Sequence, residues 1–177
     1  MVAAIPNDAD LRRRAWEAAA QVVDPEIPVL TIADLFWRAM MKSSDPTLAA
    51  IAAKSEKESA YHVRHCSEWI VRLGDGTEES HRRAQTAIDD LWAFTGEMFA
   101  VDDSERGLID AGIAIDPASL RAQWLKTVSN VVTESTLALP NNDWMQQGGR
   151  SGHHSEHLGH LLSELQSLQR TFPGATW

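Results

Sequence analysis

The stretch from Asp45 to Gly74 constrains the fold more than any other part of the chain. Asp45-Pro46 is a strong helix start. The acid can accept from free backbone N–H groups of the first turn, and proline is tolerated there because its missing N–H would have had no partner. No glycine or proline follows until Gly74, so the pattern predicts a helix of about 28 residues over 46–73, with Gly74 as its stop. Asp75-x-x-Glu78 has capping-box spacing, with Asp in place of Ser or Thr. A second helix follows at once, with Ala84, Ala87, Ile88, Leu91, Trp92, Thr95, Met98 and Phe99 in a steady three–four rhythm. So short a link between two helices predicts an antiparallel helical hairpin.

The rest of the chain is also predominantly helical in pattern. Residues 8–22 carry Leu11, Ala15, Ala18, Ala19 and Val22 on one side, and Asp24-Pro25 stops that helix because a residue before proline avoids the α region. The β-branched run Val29–Ile32 reads as a short strand or, equally, as the start of a helix through Leu35, Phe36, Ala39 and Met40. Asp102-x-x-Glu105 caps a short helix ending near Gly112. Asp116-Pro117 opens another, with Leu120, Trp124, Val128, Val131, Val132 and Ser135 on its apolar side, broken by Pro140-Asn141-Asn142. After the loop Gly148-Gly149-Arg150-Ser151-Gly152, a last helix carries Leu158, Leu161, Leu162, Leu165, Leu168 and Phe172 as its stripe.

These elements make the chain all-α, with a short N-terminal segment of α/β character. With 177 residues it fits one domain of ordinary size, and 44% hydrophobic and 23% charged residues suit a globular protein. A net charge of −9 argues against nucleic-acid binding, which needs a basic surface. No apolar run reaches the ~18 residues of a spanning helix, and the N-terminus lacks the pattern of a secretory signal. One cysteine, Cys66, excludes an internal disulfide and any site built on several thiolates. A reducing cytoplasm is the expected location.

Glu58, His62, His65 and Trp69 fall on one face of the long helix, and His153, His157, His160 and Glu164 make a matching face on the last. Four of the seven histidines lie between 153 and 160. Two such faces opposed would be a metal cradle. A di-iron carboxylate bundle, however, needs two Glu-x-x-His pairs and two further glutamates. Only Glu78-x-x-His81 has that spacing, and it sits in a first turn where an acid is expected for capping and dipole reasons. After Glu58 the third residue is Tyr61, and His62 comes one step late. The expectation is that these groups are structural or interfacial, with no metal, no other cofactor and no catalytic residue.

Cys66 beside His65 is not a nucleophile–base pair, since adjacent helical side chains diverge; a buried thiol is expected. The Gly148-Gly149-Arg150 loop offers outward backbone N–H groups to an anion, but without a preceding strand it is no dinucleotide or P-loop motif. Trp69, Trp92 and Trp124 are expected in the core or at subunit contacts. Trp144 and Trp177, with Arg150 and His154, are interface candidates.

Residues 36–177 resemble the PaaC family, the C-type subunits of the ring-1,2-phenylacetyl-CoA epoxidases. The matching stretches are Asp45-Pro46-x-Leu48-Ala49-Ala50-Ile51-Ala52-Ala53-Lys54, Glu58-x-x-Tyr61-His62-x-Arg64-His65 and Arg72-Leu73-Gly74-Asp75-Gly76-Thr77. They continue with Leu91-Trp92-x-Phe94-Thr95, Gly148-Gly149, His154-x-Glu156-His157-Leu158-Gly159 and Leu168-Gln169-Arg170-x-x-Pro173-Gly174-x-x-Trp177. The resemblance implies a ferritin-like helical subunit, non-catalytic on its own, that packs against the catalytic di-iron A subunit, to which the iron and oxygen chemistry of phenylacetate catabolism belong. Residues 8–35, with Asp24-Pro25-Glu26-Ile27-Pro28, are similar to the start of the PaaD family, which implies a PaaD-like fragment over 1–35 joined to the PaaC-like region over 36–177. The PaaC family has further helices before the position of Phe36. The resemblance therefore implies a truncated, chimeric bundle whose long helix lacks part of its cover. The alternative is a degenerate metal-binding oxygenase subunit that uses Glu58, His62, His65, His157, His160 and Glu164.

Overall fold

The computed structural model describes residues 26–141 and 144–176. Among them are the helices α1 (Glu26–Met40), α2 (Pro46–Gly74), α3 (Glu78–Leu91), α4 (Asp103–Asp110), α5 (Arg121–Glu134), α6 (Glu156–Leu165) and α7 (Ser167–Thr171). Tight 3-10 turns lie at Trp92–Phe94, Gly96–Phe99, Pro117–Leu120 and Gly149–Ser151. The architecture is all-α, as the sequence patterns indicate, with no strand among the described residues. No described helix is long and apolar enough to cross a membrane. The helix expected over 8–22 lies outside the described residues.

Of the two readings of Val29–Ile32, the helix is the one found: these residues belong to α1, which runs unbroken through Leu35 and Phe36 to Met40. Pro28 falls in the first turn, where a missing N–H costs nothing. Thr31, Asp34, Leu35 and Met40 are buried, so the packed side follows a helical period. Burial of that side against α2 and α5 overrides the β preference of Thr31 and Ile32.

Helix α2 spans 29 residues, about 44 Å at 1.5 Å per residue. Asp45 Oδ1 caps it, accepting from the backbone N–H of Thr47 at 2.8 Å and Leu48 at 3.0 Å. The preceding turn is pinned across the fold: Ser43 Oγ donates to the Ile113 carbonyl at 2.6 Å, and the Ser44 N–H donates to that of Gly112 at 2.9 Å.

The far end of α2 differs from expectation in two ways. Gly74 is not a left-handed stop; it is the last helical residue, buried where the chain after α5 crosses it. A Cβ there would lie 2.1 Å from the Ser135 carbonyl oxygen, so glycine is required by close approach. The cap of α3 is Thr77 with Ser80, not Asp75 with Glu78. The Ser80 hydroxyl fills the role a glutamate usually plays. It accepts from the Thr77 N–H at 2.9 Å and donates to the Leu73 carbonyl at 2.7 Å, satisfying one of the last carbonyls of α2.

Helix α5 ends at Glu134, before the proline that was expected to break it. Thr136 takes a left-handed conformation, φ 60°. The Leu137 N–H then reaches back to the Val132 carbonyl at 3.0 Å and the Thr136 N–H to that of Thr133 at 3.1 Å. This is the bonding of a Schellman cap, with a β-branched residue where glycine is usual. The Thr136 hydroxyl donates to the Gly74 carbonyl at 3.3 Å, which ties the strained residue to the end of α2.

The core collects where α1, α2, α3 and α5 meet. Trp124 is at its centre, 2% exposed, stacked on Trp92 at 5.5 Å and edge-on to Phe99 at 5.0 Å. Leu35, Cys66, Ala84, Val128, Val132 and Leu137 surround it. Of the helical tryptophans, Trp92 and Trp124 are therefore in or against the core, whereas Trp69 is not.

Candidate functional site

Among the described residues, helix α2 is covered along one side only. Ala52, Ser59, Cys66 and Gly74 mark the buried line, and the positions opposite face outward. Glu58, His62 and His65 are all exposed. So are His157, His160 and Glu164 on α6, which has no substantial packing against α2. Among the described residues no group of three or more His, Cys, Asp or Glu side chains converges as metal ligands would. The two halves of the cradle suggested by the sequence are thus not brought together among the described residues. His81 does not bridge them; its Nδ1 hydrogen-bonds the Gly74 carbonyl at 2.8 Å.

The outer face of α2 instead carries a ladder of rings at four-residue spacing. Tyr61 stacks on His65 (6.0 Å between centroids), and His65 meets Trp69 edge-on at 6.3 Å. Arg64 lies over Tyr61 at 5.6 Å and Arg72 over Trp69 at 5.4 Å. Tyr61 is 52% and Trp69 45% exposed. Aromatic rings backed by arginines are the residue types enriched at the centres of protein interfaces.

The second unpartnered surface is the C-terminal arm. The single last helix of the sequence reading is two short ones, α6 and α7, meeting at Gln166. Most of their apolar stripe is exposed: Leu161, Leu165, Leu168 and Phe172 all face outward, Leu165 by 68%. His154 and Trp144 are exposed as well, and Trp177 lies outside the described residues.

Arg150 is engaged within the chain, donating to Glu105 Oε2 at 2.6 Å and lying 3.5 Å from Asp102 Oδ2. The Ser104 hydroxyl foremost, then the Glu105 N–H, and more weakly the Arg150 charge, hold the Asp102 carboxyl below its usual range. The Gly148-Gly149 amides, which the sequence shows only as a possible anion seat, are taken by a carboxylate of the same chain. Glu97 Oε1 accepts from the Gly148 N–H at 2.6 Å, and Oε2 from the Gly149 N–H at 3.0 Å. Nothing in the sequence marks Glu97 for this role, because its partners lie some fifty residues away and are backbone groups. Asp34 was likewise silent. It is buried, with Oδ2 on Arg38 Nε at 2.9 Å and Oδ1 without a hydrogen-bond partner among the described residues.

With this geometry in place, comparison with known proteins is informative. The family model described as phenylacetic acid catabolic protein (PaaA/PaaC) matches residues 20–177. The C-type subunit of 1,2-phenylacetyl-CoA epoxidase from Escherichia coli (strain K12) is 47% identical over 143 residues, 81% of this chain and 57% of that protein. The chain thus spans a little over half the length of this curated relative. The family match begins at residue 20, upstream of Phe36.

Proposed function

The chain belongs to the family of phenylacetic acid catabolic proteins, and from that premise we propose that it is a non-catalytic structural subunit of a phenylacetyl-CoA monooxygenase (epoxidase) complex, truncated and chimeric, that packs in the cytoplasm against the catalytic di-iron A subunit. One observation carries the reading: the ionisable groups of α2 and α6 are dispersed, while the same two elements present outward rings and leucines. The magnitudes favour use of both faces. Fully burying a large apolar side chain is worth about 1.5–3 kcal/mol. Tyr61, Trp69, Leu161, Leu165, Leu168 and Phe172 are each about half exposed, so together they offer about 5–9 kcal/mol. That is comparable with the ~4–15 kcal/mol cost of association. Neither face alone suffices for a tight complex.

The experiment is co-expression of this chain with a tagged A subunit of the same family. The two are expected to co-purify, and no complex at micromolar concentration would count heavily against the proposal. The alternative, a degenerate metal-binding subunit, requires Glu58, His62, His65, His157, His160 and Glu164 to converge, which would take a rearrangement of α6 onto α2. Stoichiometric iron or manganese in the purified chain would favour it.

Residues 1–35 are read as a PaaD-like fragment joined near Leu35-Phe36. The motif Asp24-Pro25-Glu26-Ile27-Pro28 supports that reading, and the family match from residue 20 competes with it. Genomic sequencing across the junction is the check; a continuous C-type reading frame upstream of codon 36 would remove the fragment from the account.

A further inference from the structure

We propose that the Glu97 carboxylate, seated on the Gly148 and Gly149 backbone amides, is a latch that fixes the direction in which the C-terminal arm leaves the bundle. The inference goes beyond the subunit role and holds whatever partner the arm meets. Two backbone runs meet at the latch, 93–97 and 145–150. The Gln146 N–H donates to the Ala93 carbonyl at 2.8 Å, and both Glu97 oxygens are taken by loop amides. Arg150, on Glu105 and Asp102, adds a charged brace at the base of α4.

Glycines make this approach possible. Gly148 has φ 104°. A Cβ on Gly149 would lie 2.6 Å from Glu97 Oε2, and one on Gly96 would lie 2.9 Å from Met145 Cβ. A carboxylate against backbone N–H groups is the kind of charge-assisted contact that a concave run of amides is built to take. Beyond Gly152 no described residue is buried, and among the described elements α6 and α7 pack substantially only on each other. The direction of the arm is therefore set at the latch, not along its length. The bundle core, around Trp124, does not include Glu97.

The test uses the full chain with spin labels at S163C on the arm and D90C on α3, both exposed positions; the native Cys66 is buried. Distances are measured alongside amide exchange. The unsubstituted latch should give a narrow distance distribution and protected Gly148 and Gly149 amides. E97A should broaden the distribution and speed exchange at those two amides about 10- to 100-fold, with E97Q intermediate and the amides of α2 and α5 unchanged. Formate, the smallest carboxylate, should narrow the E97A distribution again. The proposal is overturned if E97A keeps the narrow distribution, if formate leaves it broad, or if both Glu97 variants lose protection throughout α2 and α5.

Discussion

Replacing Gly74 with alanine separates two accounts of one residue. If Gly74 merely ended a helix, alanine would be tolerated or favoured: the residue is the last of α2, outside the left-handed region, and alanine is about 1 kcal/mol better than glycine within a helix. The packing predicts the opposite. The added Cβ would lie 2.1 Å from the Ser135 carbonyl oxygen and 2.9 Å from Ser135 Cβ. Relief to an ordinary contact means moving backbone by about 1 Å, and overpacking of this kind costs about 1–3 kcal/mol or more. Ser135 cannot swing aside: it is fully buried, its hydroxyl donates to the Val132 carbonyl at 2.8 Å, and it belongs to the Schellman turn that ends α5. Taking the upper end of that range against the helical gain leaves a net loss of about 2 kcal/mol. In a chain of this length that lowers Tm by about 4–8 °C. Thermal unfolding followed by circular dichroism at 222 nm, with urea titration as a second probe, reads the change. An alanine variant as stable as the unsubstituted chain, or more so, would refute the close-approach argument and restore the simple stop.

Asp45→Ala removes the acceptor shared by the Thr47 and Leu48 N–H groups and should cost about 1 kcal/mol in urea unfolding, with little change in helical content. Glu79 is held below its usual value of 4.5 by Arg82 first and Arg83 second. A depressed carboxyl contributes stability that is present above the unfolded value and is lost as pH falls through the folded one. Its NMR titration midpoint should therefore lie below 4.5, and Arg82→Ala should move it up. The double variant W69A/L165A should stay within about 0.5 kcal/mol per site in stability, since both side chains are largely outside the core, yet lose co-purification with the A subunit.

How far the sequence reached depended on whether a signal was local. Caps made of adjacent residues were legible: Asp45-Pro46, Asp102 with Glu105, and Asp116, whose carboxylate accepts from the Ala118 N–H at 2.8 Å. So was the apolar rhythm that buries Ala84, Trp124, Val128 and Val132. Signals made by contact were not. The β-branched run at Val29–Ile32 gave no hint of the neighbours that hold it helical. Ser80 in place of glutamate hid the true cap of α3, and threonine in place of glycine at Thr136 hid the cap that ends α5 at Glu134. At the candidate site, spacing alone groups Glu58, His62, His65 and Trp69 on one face of α2. That this face looks outward and that α6 does not oppose it are facts of tertiary packing, invisible to spacing. The filled anion nest at Gly148-Gly149 shows the same limit: the loop advertises its donors, but the acceptor, Glu97, arrives from another part of the chain.

The central claim is that the ring ladder of α2 and the leucine stripe of the arm are contact surfaces for a catalytic partner. Oxidative footprinting of the chain alone and mixed with the A subunit tests it most directly. Labelling of Tyr61, Trp69, Leu165 and Phe172 should fall severalfold in the mixture, while Trp124, already buried, should stay dark in both. Unchanged labelling at all four positions under conditions where the A subunit is folded and in excess would contradict the account.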